Sequence, residues 1–196
     1  VFNSPPLKEL IVPNCNTLHP GFIKSSLEVL KMPSVRSLSD GVINALKGHS
    51  KLEIVQLGVA SVNDELFMDQ TSLQEAHLVV YNDPETSTPI GVTIGARAFK
   101  GCTNLNLVGC THIEVIGESA FEGCSTLQSS NIDLSNVTSA GISSFSGCIA
   151  FTTPSLDVLE TIASLMFKDC SSITSIYAPL ATGVNDSAFN GCSSLN

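Results

Sequence analysis

The sequence predicts a right-handed solenoid of stacked coils, of mixed α/β class but rich in strand, with a parallel sheet on its concave face. Three observations predict it: a Phe/Cys motif that returns about every 22 residues, an apolar spacing that follows each motif, and a surface with few charges. Of the 196 residues, 43% are apolar and only 14% are charged. We expect residues 1–196 to form a single domain of about eight coils.

The repeated motif is a phenylalanine followed three residues later by a cysteine. It occurs five times, and the steps between successive Phe residues are 22, 24, 22 and 22 residues. A spacing of three suits one short helical or 3₁₀ turn, which we place on the convex side. Gly precedes the Cys in four of the five motifs and permits a positive φ there. The five Phe residues are Phe99, Phe121, Phe145, Phe167 and Phe189.

A second pattern begins three residues after each Cys, with apolar residues at i, i+3 and i+5. Leu105, Val108 and Cys110 follow it, whereas Ser130 and Pro154 occupy the middle position in two later coils. The pattern predicts one short strand per coil, paired with its neighbours in a parallel sheet. The predicted strands begin at Leu7, Leu27, Leu52, Leu73, Leu105, Leu127, Phe151 and Ile173.

The two ends of the pattern are less regular. In the N-terminal coils Leu46 and His49, and then Phe67 and Gln70, stand in for the Phe and Cys of the motif. At the other end Leu195 opens a ninth strand, so we expect the chain to be a fragment of a longer protein.

One coil is longer than the others. The step from Leu73 to Leu105 is 32 residues, and the surplus falls in a polar, proline-containing stretch at 81–89. We expect residues 80–91 to form a loop inserted into the solenoid.

The motif Ile-Gly-x-x-Ala-Phe-x-x-Cys is clearest from Ile94 to Cys102 and from Ile116 to Cys124. Together with the following Leu-x-x-Ile-x-Leu-Pro pattern, it resembles the BspA-like leucine-rich repeats of bacterial and protist surface proteins. The resemblance is close over about 92–196 and loose over 7–91. It implies a leucine-rich repeat fold, an extracellular or cell-surface location and a role in adhesion, and it implies no catalytic motif.

Charge excludes two classes of partner. The formal net charge is -9, and the sequence has nine Lys and Arg residues against 18 Asp and Glu residues. Nucleic-acid binding relies on cations that neutralise phosphates, and anionic membrane surfaces attract basic segments, so we expect neither partner. No apolar run reaches the length of about 18 residues that a membrane span requires, so we expect no direct membrane insertion.

The seven cysteines and four histidines do not indicate an enzyme. No Cys-x-x-Cys pair suggests a metal site, so we expect no metal and no cofactor. One Cys per coil is typical of buried free thiols, although neighbouring coils lie within the distance that an occasional disulfide needs. Cys110 and His112 are the one close Cys/His pair, and Cys110 lies at an inward i+5 position, where a thiol is a poor nucleophile.

Two asparagines, Asn136 and Asn185, begin N-glycosylation sequons, each between a strand and the next Phe motif. In a eukaryotic surface protein they would be modified, and in a bacterial protein they would not.

The outward positions of each strand are i+1, i+2 and i+4. The i+4 residues are Ile11, Lys31, Gln56, His77, Gly109, Asn131, Ser155 and Tyr177. The i+1 residues are Lys8, Glu28, Glu53, Gln74, Asn106, Gln128, Thr152 and Thr174.

Charge is therefore confined to the first coils, while amides, hydroxyls and one tyrosine follow. We expect a protein or glycan partner on this concave face, bound through Asn131, Ser155 and Tyr177. The alternative is a structural protein whose solenoid assembles end to end into an extracellular fibre or matrix.

Overall fold

The computed structural model describes residues 6–196, and the first five residues of the expected domain lie outside this range. The chain is a leucine-rich repeat solenoid of eight coils; coils two to eight contain buried apolar side chains, whereas those of coil one are at most partly buried. Coils one to eight begin at the eight predicted strand starts, from Leu7 to Ile173. The strands are β1 (Glu9–Ile11), β2 (Val29–Met32), β3 (Ile54–Leu57), β4 (Ser61–Val62), β5 (Glu75–Leu78), β6 (Val92–Ile94), β7 (Asn106–Val108), β8 (Ile113–Ile116), β9 (Ser139–Ala140), β10 (Thr161–Ile162) and β11 (Gly183–Val184).

The first sheet contains the strands that begin coils one to five. Its order is β1-β2-β3-β5-β7, and every neighbouring pair is parallel, as the repeat predicts. Inward residues such as Leu30 and Val55 lie opposite each other and are fully buried. Successive coils therefore bury their apolar faces against one another, which no single coil of this size can do alone.

The predicted spacing is wrong by one residue in coil five. The register pairs Ala76 with Leu107 and His77 with Val108, so Leu107 points inward and Val108 takes the outward position. The exposed fraction of Leu107 is 2%, whereas Val108 is only half-buried. One residue is missing from this strand relative to coil four, and Gly109 therefore does not belong to the outward i+4 positions.

The first sheet does not continue as regular strand beyond coil five. Coil six has a short 3₁₀ helix at Ser129–Asn131. Coils seven and eight are joined by a single parallel bridge between Ser155 and Tyr177. The polar Ser130 in the middle position of coil six and Pro154 in coil seven, which has no N–H to donate, account for the loss of pairing.

The prediction of one strand per coil is also wrong for coils three to five, which each contain a second short strand. Coils six to eight have a short strand only at this second position. These strands form a four-stranded sheet, β4-β6-β8-β9, and a separate pair, β10-β11. Glycines allow the coils to approach closely here. A Cβ atom on Gly117 would lie 2.5 Å from the backbone nitrogen of Ala96, and one on Gly141 would lie 2.5 Å from that of Glu118.

Helices are confined to the first coils and to the short turn of coil six. Coil one has a 3₁₀ helix at Pro20–Phe22, and coil two has a seven-residue α-helix at Asp40–Leu46. The Phe motifs of coils three to eight form overlapping turns instead of the helical turns that the spacing suggested. In coil five, Ser119 and Gly123 flank Phe121 on either side and both have positive φ, 54° and 76°. The Gly next to Cys is thus needed for its backbone conformation, as predicted.

These turns form a ladder of their own. The backbone N–H of each Phe donates to a carbonyl of the next coil, for example from Phe99 to Ala120 at 2.8 Å and from Phe121 to Ser144 at 2.8 Å. The residues two before and two after each Phe donate in the same direction. Three parallel hydrogen bonds therefore join each pair of successive turns from coil three to coil eight, and we call this series the turn ladder.

The phenylalanine side chains stack along the core. Ring centroids of successive coils lie 5.4 to 5.8 Å apart, and the planes are within 19° of parallel. The stack begins one coil earlier than the five motifs, at Phe67. The rings are Phe67, Phe99, Phe121, Phe145, Phe167 and Phe189.

The cysteines of the motif are hydrogen-bond donors and not cross-links. All seven cysteines are free thiols. The sulfur of Cys124 lies 3.1 Å from the carbonyl oxygen of Phe99 in the preceding coil, and the other four motif cysteines repeat this contact at 2.9 to 3.1 Å. In coil three Gln70 makes the equivalent bond, its amide donating to the Leu46 carbonyl at 2.8 Å. The Gln that replaces Cys in this N-terminal motif therefore keeps a hydrogen-bond donor at the same position.

The surplus residues of coil four turn back on themselves. Asn82 and Pro89 form an antiparallel bridge, and residues 84–89 are all exposed. The segment is attached to the solenoid through Tyr81, whose ring lies 3.9 Å below the guanidinium carbon of Arg36.

Candidate functional site

The outward side of the first sheet, together with the same side of coils six to eight, is the candidate site, and we call it the sheet face. Register pairs Ile11 with Lys31, Lys31 with Gln56, and Gln56 with His77, which places the i+4 residues of coils one to four in one column. In coil five Val108 continues that column in place of the expected Gly109.

The N-terminal half of the sheet face is charged and paired within itself. The Lys8 ammonium lies 2.8 Å from the Glu28 carboxylate, and this hydrogen bond raises the pKa of Lys8. In coil four Nε2 of His77 lies 3.0 Å from a carboxylate oxygen of Glu75. Exposed pairs of this kind contribute little stability, so their main effect is on the charge that a partner would meet.

The C-terminal half of the sheet face is neutral at its predicted site residues. Tyr177 is 61% exposed. Ser155 is bridged to Tyr177 through the backbone, with the Leu156 N–H donating to the Tyr177 carbonyl at 2.7 Å. The Ser155 hydroxyl donates to the Asp157 carboxylate at 2.5 Å. These two predicted residues are therefore brought together on coils seven and eight.

Asn131 is placed differently from the prediction. It ends the 3₁₀ helix of coil six and not a strand, and its side-chain amide donates to the side-chain oxygen of Asn106 in coil five. The nearest link across to coil seven is between the hydroxyls of Ser129 and Thr152, 3.1 Å apart. Asn131 thus lies on the same face as Ser155 but on the other side of a break in the sheet.

Sequence reasoning did not single out a shallow polar depression beside the sheet face. Residues of coils three to five line it: Glu53, Thr71, Ser72, Gln74 and Asn104. Two hydrogen bonds join the lining residues: the Asn104 amide donates to the Thr71 carbonyl at 2.8 Å, and the Gln74 N–H donates to the Glu53 carbonyl at 2.8 Å. The sequence signal was the polar residues around the strand starts: Glu53 and Gln74 are i+1 residues, and Thr71, Ser72 and Asn104 come just before Leu73 and Leu105.

Cys110 and His49 are both buried in the scaffold. Burial raises the pKa of Cys110 to about 12, so its thiol is protonated at neutral pH. His49 is buried, and its Nε2 lies 2.8 Å from the Lys24 carbonyl, which makes it part of the scaffold. Within residues 6–196 no group of three His, Cys, Asp or Glu side chains is placed to hold a metal ion.

In the part of the chain that the structure describes, no helix has both the length and the apolar character that crossing a membrane requires.

Comparisons with known proteins agree with the repeat architecture. Residues 84–196 match the BspA type leucine rich repeat region in six copies. No curated protein sequence matches the chain.

Solved structures share the fold at low sequence identity. A leucine rich repeat protein of T. pallidum is 20% identical, with a TM-score of 0.51 over 73% of this chain and 78% of that one. A leucine rich cell surface protein of Faecalibacterium prausnitzii is 19% identical, with a TM-score of 0.52 over 88% of this chain, which spans 59% of that structure.

Proposed function

Since the chain belongs to the BspA-type leucine-rich repeat family, we propose that it is a non-enzymatic recognition module of a secreted or cell-surface protein, binding a protein or glycan through its sheet face. The single observation that carries this proposal is Tyr177, a 61% exposed aromatic ring on an otherwise hydroxyl- and amide-rich surface. Tyrosine supplies a large apolar contact and a polar tip, and such residues are enriched where proteins bind partners.

Charge supports a neutral partner for the C-terminal half. After Lys100, the sequence has a single basic residue, Lys168, which lies in a Phe turn and 3.7 Å from the carboxylate of Asp169. An anionic ligand would find no cation on the sheet face of coils six to eight. Hydroxyl and amide groups, by contrast, can donate to and accept from the hydroxyls of a glycan or the backbone of a protein.

The test is a triple variant with a control from the same column. Asn131→Ala, Ser155→Ala and Tyr177→Ala together should reduce binding at least tenfold on an array of neutral oligosaccharides and extracellular-matrix proteins. The control, Ile11→Ala, Lys31→Ala and Gln56→Ala, alters the same face in coils one to three and should retain binding.

Both variants should unfold at nearly the wild-type urea concentration, because they truncate outward side chains. Equal binding by the wild type and the triple variant would contradict this site. Loss of binding on removal of residues 82–89 alone would assign recognition to the inserted segment instead. Concentration-dependent growth in sedimentation, unaffected by the triple variant, would favour the fibre alternative.

Glycans attached at the two sequons would leave the sheet face uncovered. Asn136 and Asn185 are both exposed and lie beside the second-strand side of the coils, before β9 and after β11. We propose that glycans form at both positions if the protein passes through a eukaryotic secretory pathway. Expression there should add mass that Asn136→Gln and Asn185→Gln each reduce by one glycan, and an unchanged mass would contradict it.

A further inference from the structure

The contact between coils six and seven differs from the neighbouring ones in its second strands. Between coils five and six, the N–H groups of Thr138 and Gly141 donate to Glu114 and Ile116 at 2.9 and 2.8 Å. Between coils seven and eight, Thr182 and Asn185 donate to coil seven in the same way, both at 2.9 Å. Within residues 6–196, β9 and β10 are not paired, and no backbone hydrogen bond joins 138–140 to 160–163.

The first-strand side is also unpaired at this contact. Between coils seven and eight the Thr174 N–H donates to the Thr152 carbonyl at 3.0 Å, as equivalent residues do in coils one to five. Between coils six and seven, only the Ser129 side chain bridges the gap, accepting from the Thr153 N–H at 3.3 Å and contacting the Thr152 hydroxyl. We call this doubly unpaired contact the seam.

Particular residues account for the seam. On the first-strand side, Ser130 and Pro154 replace the apolar middle residues that hold neighbouring strands in register. On the second-strand side, Ala163 stands where Gly95, Gly117 and Gly141 stand in coils four to six, and a Cβ there meets the preceding coil's backbone. Asn185 also has a side chain at this position and keeps its bond to coil seven. The open seam therefore requires both interruptions together.

Apart from the Ser129 contacts and the packing of the Phe151 ring against Phe145 at 5.1 Å, the two sides are joined by the turn ladder. Ser143, Phe145 and Gly147 donate to coil seven at 3.1, 2.9 and 2.7 Å. The rings of Phe145 and Phe167 stack at 5.6 Å. Cys170 adds its thiol contact to the Phe145 carbonyl at 3.1 Å. These attachments all lie along one edge of the coils, which is the arrangement of a hinge.

We propose that coils seven and eight swing as one unit about the turn ladder, opening and closing the seam on both flanks of the solenoid. Because Asn131 lies on one side of the seam and Ser155 and Tyr177 lie on the other, the swing sets the distance across the recognition site. A ligand that bridges the seam binds the closed arrangement preferentially and holds it. This last consequence rests on the proposed function, whereas the swing itself does not.

The test uses two spin-label pairs that span the same number of coils. Gln74→Cys with Thr174→Cys crosses the seam, and Glu28→Cys with Gln128→Cys does not. In both pairs the labels are four coils apart, which is about 19 Å at the usual strand spacing. Cys15→Ser and Cys192→Ser remove the exposed and the partly exposed native thiol, and the other five cysteines are buried and inaccessible to the label. Double electron–electron resonance then gives a distance distribution for each pair.

We expect the distribution of the pair that crosses the seam to be about twofold wider than that of the control pair. Two narrow distributions of equal width would overturn the proposal, because there would be no swing. Two broad distributions of equal width would overturn it as well, because the motion would then not be located at the seam. A closing variant with Ser130→Val, Pro154→Val and Ala163→Gly should restore strand pairing and narrow the first distribution to that of the control. A folded closing variant, checked by circular dichroism, that stays broad would also count against the seam.

These measurements need no ligand, so their outcome is independent of the recognition test. If the hinge is found but the triple alanine variant binds normally, the swing stands and the site does not. If binding depends on the three residues but the widths are equal, the site stands and the swing does not.

Discussion

Replacing Phe121 with alanine tests whether the aromatic stack holds the coils together. The ring is fully buried, and its centroid lies 5.5 Å from that of Phe99 and 5.4 Å from that of Phe145. A buried Phe→Ala change costs about 3–5 kcal/mol through lost transfer energy and the cavity that remains. Two stacked neighbours each lose an aromatic contact, so we expect the upper end of that range, about 5 kcal/mol.

The control for this experiment is Phe22→Ala. Phe22 is 53% exposed and stands outside the stack, so its removal should cost less than about 1 kcal/mol. Urea unfolding followed by far-ultraviolet circular dichroism measures both free energies. A loss below about 2 kcal/mol for Phe121→Ala, or one equal to that of Phe22→Ala, would refute the stack as the main support of the core.

Four further outcomes follow from the structure. Ser144 is fully buried and its hydroxyl lacks a partner, so Ser144→Ala should raise the unfolding free energy by about 1 kcal/mol in urea, and a loss would contradict this. Of the seven thiols, Cys15 is exposed and Cys192 is partly exposed, so at most these two should react quickly with a thiol reagent at pH 8; rapid reaction of three or more would contradict the burial of the other five. Burial raises the pKa of Cys102 and Cys170 from 9.0 to about 12, so the unfolded chain loses these protons first. Stability should therefore fall as pH rises from about 9 to 12, by up to about 1.4 kcal/mol per pH unit for each such thiol, and a urea midpoint unchanged over that range would argue against it. Replacing residues 82–89 with Asn-Gly should leave the urea midpoint unchanged, because the Ile90 N–H already donates to the Tyr81 carbonyl at 2.9 Å; a large drop would mean that the segment supports the fold.

Much of the scaffold could be predicted because its core residues repeat at fixed steps. Phe and Cys recur together, and both positions proved to be structural: one fills the core and the other donates a hydrogen bond. The i, i+3, i+5 pattern gave the correct inward residues in coils two to four. A periodic pattern is reliable where each coil repeats the same contacts with the coil before it.

The i, i+3, i+5 pattern failed where neighbouring residues do not differ in polarity. In coil five Leu107 and Val108 are both apolar, so the spacing could not reveal that one residue had been lost. The second strands escaped notice because they are only two to four residues long, too short to show alternation. Their signal was the Ile-Gly pair, where the glycine allows the backbones to approach.

The candidate site was predicted in part. Ser155 and Tyr177 were expected in one column and are bridged to each other. Asn131 was assigned to a strand, but Ser130 replaces the apolar residue that a strand needs there, and a 3₁₀ helix forms instead. Sequence spacing predicts which residues share a face, whereas the continuity of that face depends on backbone pairing that a single Ser or Pro can interrupt.

The thiol ladder makes this fold indifferent to redox conditions. Its five motif cysteines act as small hydrogen-bond donors to carbonyl groups, and all seven cysteines of the chain are free. Gln70 fills the same role without sulfur. A reducing agent has no covalent link to remove here, and an oxidant reaches the buried sulfurs only after the chain has opened. Folding therefore needs no oxidising compartment, in contrast to small secreted domains that depend on disulfide formation to become stable.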